Sequence, residues 1–433
     1  MTKPTDFNKG NDYAARRAGL SDESIETANG LEDKLRGVSR RDFFNISRRY
    51  GMTATLFAAG SMGGIFSAQS LARAAEAENA KRGKAKHVLK LGCVSNEEQN
   101  NIFRNGTWEF ARDLEERTNG AIQVQVLGGN TVCAEPTCVQ KTVQGAIEMG
   151  MSSTQNASSL IPWLNALDWP FMFQNTGQMY HFLFNPKSEQ LFRKIYREKY
   201  RLEFLWAMCE PRHLFMGLKW KDREPVKSVK ELKGAKVRVT NTTMGRIALE
   251  LMETNPVPVA WVETLDALKS GLIDGAETSA APAAAFNMAP VLSRVVVLGF
   301  IPLIEHHAIN TRVLDKLGSD LRDEVMEAAY QAQRSTLYSN EAGQRMILGM
   351  EANPSKDTIF GSQNVSVDVL SKEAVDEAEK MCHPSNKAYD EIRNTLNGIA
   401  GFDVYEAFLP VAREYSRDGL SINVQPRRWW KSA

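Results

Sequence analysis

The sequence has little that would mark an enzyme or a nucleic-acid-binding protein. Lysine and arginine total 53 and aspartate and glutamate 52, so no excess of one charge points to nucleic acid or an anionic membrane. The six histidines do not fall at metal-ligand spacing, and the adjacent His306 and His307 would point to opposite faces of a strand. A Gly-rich dinucleotide loop, a G-x-S-x-G elbow and an H-E-x-x-H motif are missing. We therefore expect no catalytic activity, no cofactor and no metal site.

The sequence also has no long, unbroken apolar run that would cross a membrane. The apolar stretch 52–72 is interrupted by glycine and serine. It follows Ser39-Arg-Arg-Asp-Phe-Phe44, a twin-arginine pattern, and precedes the small-residue segment Ala72-Arg-Ala74. A charged region, an apolar region and a small-residue exit together are typical of a signal peptide. We predict that residues 1–74 are a twin-arginine signal peptide with a disordered n-region, and that the twin-arginine translocase exports the protein to the periplasm.

Cysteines are few, five in all, and only Cys133 and Cys138 lie close together in the sequence. In an oxidising periplasm these two residues could close a small disulfide loop. Free thiols and a metal site are the alternatives, although two thiols with no histidine nearby make a weak ligand set.

The pattern of apolar residues after the predicted signal peptide alternates between strand and helix periods. Strands are predicted at 88–94, 122–127 and 147–151, and helices at 100–118 and 136–145. This β-α-β-α-β order indicates a parallel sheet covered by helices. Because ligands bind beyond the carboxyl ends of such strands, the candidate binding residues are Asn96 to Glu98, Glu135 and Ser153 to Asn156, above all Glu135, Ser153 and Asn156.

Farther along, the pattern predicts two strands at 202–208 and 303–310. The segment Cys209–His213 is expected to follow the end of the first of them. A helical pattern runs from Ser319 to about Met350, longer than most globular helices. Another helix is predicted from Ala374 to Leu396, interrupted at His383-Pro-Ser385. The basic and aromatic tail at 426–431 is expected either to pack on the surface or to meet a partner.

The most informative segment is Glu231-Leu-Lys-Gly-Ala-Lys-Val-Arg-Val-Thr240. It predicts a short strand that ends next to Arg238, a cation whose planar fork offers two parallel donors to a planar anion. About twenty residues later, 258–277 predicts a loop with Trp261, a helix, and a strand at Leu272-Ile273 that ends in Asp-Gly-Ala-Glu277. A helix predicted at 243–253 would direct its N-terminal amides toward the same place.

This set of segments resembles the solute-binding proteins of TRAP transporters, the DctP-like family, over roughly residues 88–350. The resemblance implies that Arg238 clamps a ligand carboxylate and that Trp261 forms an aromatic wall against the ligand. It implies that Glu277 closes the signature at the interdomain edge. It places three further residues where other members contact ligand or ordered water: Arg212, Glu135 and Asn156.

Several positions depart from the family pattern. Thr240 replaces the usual proline, Thr278 stands where many members have an asparagine that contacts the ligand, and Ser153 stands where some members have an acid. The cysteine pair is not a general family feature. These departures leave the family intact but favour compact anions over large sugar acids.

The resemblance implies an α/β fold, namely a two-domain periplasmic binding protein (a clamshell) with parallel-type sheets flanked by helices, hinge strands and a long spanning helix. Domain I is expected at 87–208 plus 304–345, and domain II at 209–303 plus 346–433. The implied function is capture of a small organic anion, either a C4-dicarboxylate or another carboxylate, for the small and large TRAP membrane subunits. A sulfonate-binding TRAP subunit and the solute-binding protein of an ABC importer are the alternatives.

Overall fold

The computed structural model describes residues 85–431, except for the side chains of residues 338–342, so the predicted signal peptide lies outside the described residues. Within that range the strands are β1 (His87–Gly92), β2 (Ile122–Leu127), β3 (Met149–Ser153), β4 (Leu202–Gly217), β5 (Lys236–Val239), β6 (Asn255–Pro258), β7 (Gly275–Thr278), β8 (Leu292–Asn310) and β9 (Ser366–Val369). They form one mixed sheet in the order β2-β1-β3-β8-β4-β7-β5-β6, and β9 pairs with β8.

The α-helices of the described range cover the sheet and link its strands. They are α1 (Thr107–Arg117), α2 (Glu135–Gln144), α3 (Thr154–Ala157), α4 (Thr176–Phe184), α5 (Lys194–Tyr200), α6 (Thr243–Leu251), α7 (Thr264–Ser270), α8 (Ala280–Ala285), α9 (Thr311–Gly343), α10 (Ile359–Ser362), α11 (Lys372–Met381), α12 (Asp390–Ala400) and α13 (Val404–Arg413). Among residues 85–431, no helix combines the length and the hydropathy that crossing a lipid bilayer requires.

The first part of the described chain has the predicted β-α-β-α-β order. Strand β1 pairs in parallel with both β2 and β3, and α1 and α2 make the connections. The alternation in β2 accounts for its position, because Ile122 and Val124 are buried while Gln125 is exposed. The second part repeats this arrangement, since β5 pairs in parallel with both β6 and β7.

Two long antiparallel strands join these parallel groups. Strands β4 and β8 pair along almost their whole length, from Leu202 opposite Asn310 to Gly217 opposite Leu292. Strand β3 pairs with the C-terminal part of β8, whereas β7 pairs with the C-terminal part of β4. Each end of this ladder therefore carries a different parallel group, which is the architecture of a two-domain binding protein.

The predicted helix at 100–118 begins later than expected. A short 3-10 turn occupies Gln99–Asn101, and α1 starts only at Thr107, after Gly106 with φ +81°. A Cβ at Gly106 would lie 2.8 Å from Nε1 of Trp206, and this nitrogen donates a hydrogen bond to the Asn105 carbonyl at 2.8 Å. The chain thus breaks the helical pattern to pack against a core tryptophan.

The strand predicted at Leu272-Ile273 is wrong in position. Helix α7 ends in a left-handed turn at Gly271, Leu272 is exposed, and β7 begins only at Gly275. A Cβ at Gly275 would lie 2.6 Å from Sδ of Met216 on the neighbouring strand. The glycine of the Asp-Gly-Ala-Glu segment therefore allows β7 to enter the sheet.

The long helix predicted from Ser319 to about Met350 is largely confirmed, with two corrections. Helix α9 includes a shorter N-terminal piece that joins the main helix across a kink at Gly318, whose φ is +78°. Its C-terminal end passes into a π-helix, Gln344–Leu348, and Gly349 ends the helical structure with φ +84°. The predicted interruption near His383 is also confirmed, because α11 and α12 are separate helices there.

The tail at 426–431 packs on the body of the protein. Trp429 is fully buried and lies under the guanidinium of Arg193, with 4.2 Å between its Cζ and the ring centroid. Arg428 forms two hydrogen bonds of 2.7 Å to the carboxylate of Glu327 on α9. The structure therefore agrees with the first of the two predictions for the tail, namely that it packs against the rest of the protein.

Cys133 and Cys138 form a disulfide in the structure, with Cα atoms 5.0 Å apart. The bridge closes the loop that leads into α2 and packs with Ile147 in a small apolar cluster. Cys93, Cys209 and Cys382 are free and buried. The loop carrying Glu135 is therefore tied at both of its ends.

Candidate functional site

A cleft of about 330 Å³ lies where the carboxyl ends of the two parallel groups face each other. Seven of the eight main predicted binding residues line it, which are Glu135, Ser153, Asn156, Arg212, Arg238, Trp261 and Thr278. The remaining lining residues were not predicted as binding residues and are Val94, Phe103, Thr240, Pro282, Phe286, Leu303 and Glu305. Glu135, Ser153 and Asn156, which the carboxyl-end rule named, thus line the cleft, whereas Asn96 to Glu98, named by the same rule, do not.

Arg238 presents a buried guanidinium to the cleft. Its Nε donates to the Val259 carbonyl at 2.9 Å and its Nη1 to the Glu277 carbonyl at 3.4 Å. Its Nη2 is buried and has no hydrogen-bond partner among the described residues. Burial lowers the pKa of Arg238 to about 10, against the opposing effect of Glu277, so the group stays charged at neutral pH. A buried cation with a spare donor is a site prepared for an anion.

The sequence pattern predicted that Arg212 follows the end of a strand. In the structure it lies within β4, which continues to Gly217. Its Nη1 lies 3.2 Å from Oε1 and 3.4 Å from Oε2 of Glu277, and both side chains are buried. Its Nε has no partner among the described residues. The pair neutralises most of the charge of Arg212 but leaves one of its donors available to the cleft.

Glu277 is the one main predicted binding residue that does not line the cleft. It is fully buried in β7, where its carboxylate holds Arg212 and its carbonyl oxygen accepts from Arg238. Its position is therefore behind the two arginines, where it fixes the orientation of both.

Glu135, Ser153 and Asn156 form a hydrogen-bonded group on the other side of the cleft. The backbone N–H of Ser153 donates to Oε2 of Glu135 at 2.9 Å, and the side-chain amide of Asn156 donates to the same oxygen at 2.7 Å. The Ser153 hydroxyl also caps α3 by accepting from the Asn156 N–H at 3.2 Å. These contacts hold Glu135 as a hydrogen-bond acceptor at the first turn of α2.

Trp261 and Phe286 supply an apolar wall. Their rings meet edge to face, with centroids 5.4 Å apart. The Cζ of Arg238 lies 5.4 Å from the Trp261 ring centroid, within the range of a cation–π contact. An apolar portion of a ligand would therefore pack beside the charged group that holds its anion.

Glu305 is a cleft-lining acid that sequence reasoning missed. It lies in β8 opposite Ser153, is 2% exposed, and its Oε1 has no partner among the described residues. Burial, reinforced by the nearby charge of Glu135, raises the pKa of Glu305 well above its ordinary value, while Arg212 opposes the shift. The available signal was an acid within the apolar run Ile301-Pro-Leu-Ile-Glu305.

Two other buried titratable groups, Asp168 and His213, lie next to elements that carry cleft residues. The Thr154 hydroxyl donates to Oδ1 of Asp168 at 2.5 Å, and burial raises the pKa of Asp168 to about 7. His213 accepts the backbone N–H of Gly299 at 3.0 Å, and burial lowers its pKa to about 4. His213 is thus a buried, neutral side chain that packs beside the site. No group of three or more His, Cys, Asp or Glu residues in the described part of the chain is arranged to hold a metal ion.

A model of the bacterial extracellular solute-binding protein family 7, DctP, matches residues 94–356. The chain belongs to this family. The matched range contains every predicted binding residue, so the cleft described above lies within the family's shared region. Proteins of the family are binding components of transport systems, and the two-domain α/β fold is theirs.

Individual relatives are more distant. The 2,3-diketo-L-gulonate-binding periplasmic protein of Escherichia coli (strain K12) is 26% identical over 252 residues, which is 55% of this chain and 71% of that protein. A solute-binding protein of Chromohalobacter salexigens is 27% identical over 170 residues, 39% of this chain and 49% of that protein. This family 7 chain thus matches about half of the second relative's length.

Solved structures of TRAP periplasmic solute-binding proteins share the fold. One from Sulfitobacter sp. NAS-14.1, with bound β-D-galacturonate, has a TM-score of 0.62 at 19% identity and matches 75% of this chain and 99% of that one. One from Shewanella oneidensis, with bound succinate, has a TM-score of 0.62 at 16% identity and matches 76% of this chain and 100% of that one. At these identities the likeness concerns the fold alone.

Proposed function

We propose that this protein is the extracytoplasmic solute-binding subunit of a TRAP transporter and that it binds a small organic carboxylate in the cleft at Arg238. The observation that carries the proposal is the buried Nη2 of Arg238, which faces the cleft without a partner among the described residues. A carboxylate placed there would satisfy this donor and compensate the buried charge. Succinate, galacturonate and diketogulonate in the names of its relatives are all carboxylates, which agrees with this ligand class.

The remaining predicted contacts fit the same ligand. Arg212 would add its Nε to the anion, and Thr278, at the end of β7, is the neighbouring hydroxyl on that side of the cleft. Trp261 would cover the apolar part of the ligand, while Glu135, Ser153 and Asn156 would meet its far end. Glu277 would act on the ligand through the two arginines that it orients.

Delivery of the ligand follows from the two-domain architecture. We propose domain I at 87–208 plus 304–345 and domain II at 209–303 plus 346–433, joined by the long strands β4 and β8. Closure of the two domains would exclude water and so strengthen the interaction between Arg238 and the anion. The closed form would then present its ligand to the small and large membrane subunits. The twin-arginine pattern at residues 39–44 supports export to the periplasm by the twin-arginine translocase.

The test is a thermal-shift screen of the purified chain against dicarboxylates, hydroxy and 2-oxo monocarboxylates, sulfonates, amino acids and neutral sugars. A ligand present at about 100 to 1,000 times its dissociation constant stabilises the folded state by roughly 3–4 kcal/mol. We expect a selective hit among the carboxylates, with affinity then measured by calorimetry.

Arg238→Ala should weaken that binding by about 2–5 kcal/mol, because the substitution removes the clamp from a buried site. The matched control is Arg246→Ala, since Arg246 is half-exposed on α6 and pairs only with Glu250 in its own helix. Hits confined to sulfonates would change the ligand class. Hits confined to neutral sugars, or unchanged affinity in Arg238→Ala, would refute the proposal.

A further inference from the structure

Two carboxyl side chains, those of Glu135 and Glu305, lie near each other in the cleft, and the charges of the arginines reach both: Arg212 acts on Glu305, and Glu135 acts on Arg238. Glu305 pairs across the sheet with Ser153, whose backbone N–H donates to Glu135. Arg212 faces Ile301 in the same ladder, four residues from Glu305 along β8. Four residues of extended strand separate the two backbone positions by roughly 13 Å, so the two acids and the arginines can contact different parts of one ligand. We refer to Glu135 and Glu305 as the acidic pole.

The acidic pole contains a buried oxygen, Oε1 of Glu305, that has no hydrogen-bond partner among the described residues. Glu305 is 2% exposed and lines the cleft, and its Oε1 has no partner in the part of the chain that the structure describes. Buried polar atoms in folded proteins are nearly always paired, and an exception at a binding cleft points to a missing partner. The ligand is the natural partner for this oxygen.

The charges around Glu305 determine which partner it takes. Oε2 of Glu135 on α2 accepts two hydrogen bonds. Burial and the proximity of Glu135 raise the pKa of Glu305, and Arg212 on β4 only partly opposes this. Cys93, which follows β1, also lies near Glu305. Its thiol is neutral because burial raises its pKa to about 12, so it adds no charge beside Glu305. His307 on the same strand is neutral, since burial lowers its pKa. Burial and the neighbouring carboxylate both favour the protonated form of Glu305, in which its carboxyl group donates a hydrogen bond.

We propose that Glu305, beside Glu135, binds a hydroxyl group at the end of the ligand opposite its carboxylate, and that this acidic pole rejects a second carboxylate. The inference rests on the proposed function and narrows it to hydroxylated monocarboxylates. A hydroxyl both accepts a hydrogen bond from Glu305 and donates one to a carboxylate oxygen. A second ligand carboxylate offers acceptors only and would add a negative charge next to Glu135. Among the described residues that line the cleft, both arginines are already engaged, because Arg212 pairs with Glu277 and both arginines contact the first ligand carboxylate.

The experiment compares two pairs of ligands that differ only in their far end. Succinate and 4-hydroxybutyrate share a four-carbon chain, and galactarate and galactonate share a six-carbon chain. Each is titrated calorimetrically into the purified wild-type chain at neutral pH. We expect the hydroxyl-ended member of the better-binding pair to bind at least about tenfold more tightly, the effect of one well-made hydrogen bond.

Variants then assign that preference to the two acids. Glu305→Gln keeps a neutral donor and acceptor, so the affinity for the hydroxyl-ended ligand should stay near that of the wild type. Glu305→Leu removes both the donor and the acceptor and should lower the affinity for the hydroxyl-ended ligand by about tenfold. Glu135→Gln removes the negative charge. The ratio of the affinity for the hydroxyl-ended ligand to that for the dicarboxylate should then fall by about tenfold. With rising pH, wild-type affinity should fall as Glu305 ionises, whereas Glu305→Gln should show no such fall.

The outcomes separate this inference from the function on which it rests. If no organic anion binds, or if Arg238→Ala binds normally, the proposed function fails and the acidic pole has no ligand to select. If the dicarboxylate binds as tightly as its hydroxyl-ended partner, the function stands and the selection is refuted. Equal affinity in Glu305→Leu and Glu305→Gln would also refute the role of Glu305.

Discussion

At the scale of single residues, burial of charge decides how the cleft behaves. Arg238 and Arg212 are both buried on strands of the sheet, and Glu277 orients both of them. Each arginine keeps one nitrogen without a partner among the described residues. Holding these spare donors in place requires a planar, permanently charged group, which lysine is not.

Arg238→Lys should therefore lower affinity for the carboxylate by about tenfold or more, even though the charge is kept. The lysine would lose both the parallel donors and the Nε contact to the Val259 carbonyl. Calorimetric titration with the ligand found in the screen measures the loss, and Arg246→Lys on the exposed face of α6 is the control. Wild-type affinity in Arg238→Lys would mean that charge alone holds the ligand.

The stability of the protein should depend on pH through Asp168. Its pKa is raised to about 7 by burial, whereas an unfolded aspartate titrates near its ordinary value of about 4. The folded state thus holds a proton that the unfolded state releases, so this contribution to stability is present below about pH 4 and is lost as the pH rises to about 7.

Asp168→Asn cannot ionise, so its unfolding free energy relative to wild type should increase from pH 5 to pH 8. The slope is at most about 1.4 kcal/mol per pH unit within the titration window. Urea unfolding at several pH values measures it, with Asp266→Asn as the control because the Asp266 side chain is 86% exposed. A difference between Asp168→Asn and wild type that does not change with pH would show that Asp168 is already ionised at pH 5.

At the scale of elements, the two long strands differ most from their predicted extents. The predictions covered 202–208 and 303–310, but β4 continues to Gly217 and β8 begins at Leu292. Pro211 and Pro302, which normally end a strand, stand opposite each other in the ladder, next to a register shift between Arg212 and Leu214. Pairing with the other long strand therefore outweighs the local effect of each proline.

Gly106, at the start of α1, gives a test of how tertiary packing sets an element boundary. Gly106 and Gly145 both have positive φ, but a Cβ on Gly106 would meet Trp206 whereas one on Gly145 would meet nothing within 4 Å. Gly145→Ala should cost about 1–2 kcal/mol of stability from backbone strain alone. Gly106→Ala should cost clearly more, as measured by urea unfolding, because Trp206 must also move. Equal losses would show that contact with Trp206 does not set this boundary.

At the scale of the whole molecule, one large apolar core runs through the described residues, beside the small cluster at the disulfide, and includes the C-terminal tail. Trp163, Trp169, Trp206 and Trp429 are all fully buried in it. Trp429 comes from the end of the chain and covers Arg193, whose Nη1 and Nη2 donate to backbone carbonyls of Phe204 and Leu183. The tail thus completes the packing around β4 and α4.

Trp429→Ala should lower the unfolding free energy by about 3–5 kcal/mol, because it leaves a large cavity over a buried cation. The matched control is the neighbouring Trp430→Ala, which should cost less since Trp430 is only partly buried. Chemical denaturation midpoints of the two variants and the wild type give the comparison. A loss for Trp429→Ala no larger than that for Trp430→Ala would mean that the tail adds little to the core.

Much of the fold could be predicted from the sequence because local signals agree with it. The strand at 122–127 follows from its alternation of apolar and polar residues. The strand at 236–239 lies where the segment around Arg238 predicts a short strand. The cleft-lining positions from Glu135 to Thr278 could be predicted because the family pattern and the carboxyl-end rule lead to the same edge. Glu305 could not, because a buried acid in an apolar strand becomes informative only when its unpaired oxygen is seen to face the cleft.

The sequence by itself determined the α/β class, the parallel groups and the arginine at the centre of the site, because periodicity and residue chemistry are local properties. Only the tertiary structure decided the length of β4 and β8, the position of Glu277 behind the arginines, and the placement of Glu305 near Glu135. These features depend on contacts between residues far apart in the chain, which form only when both parallel groups join the same ladder.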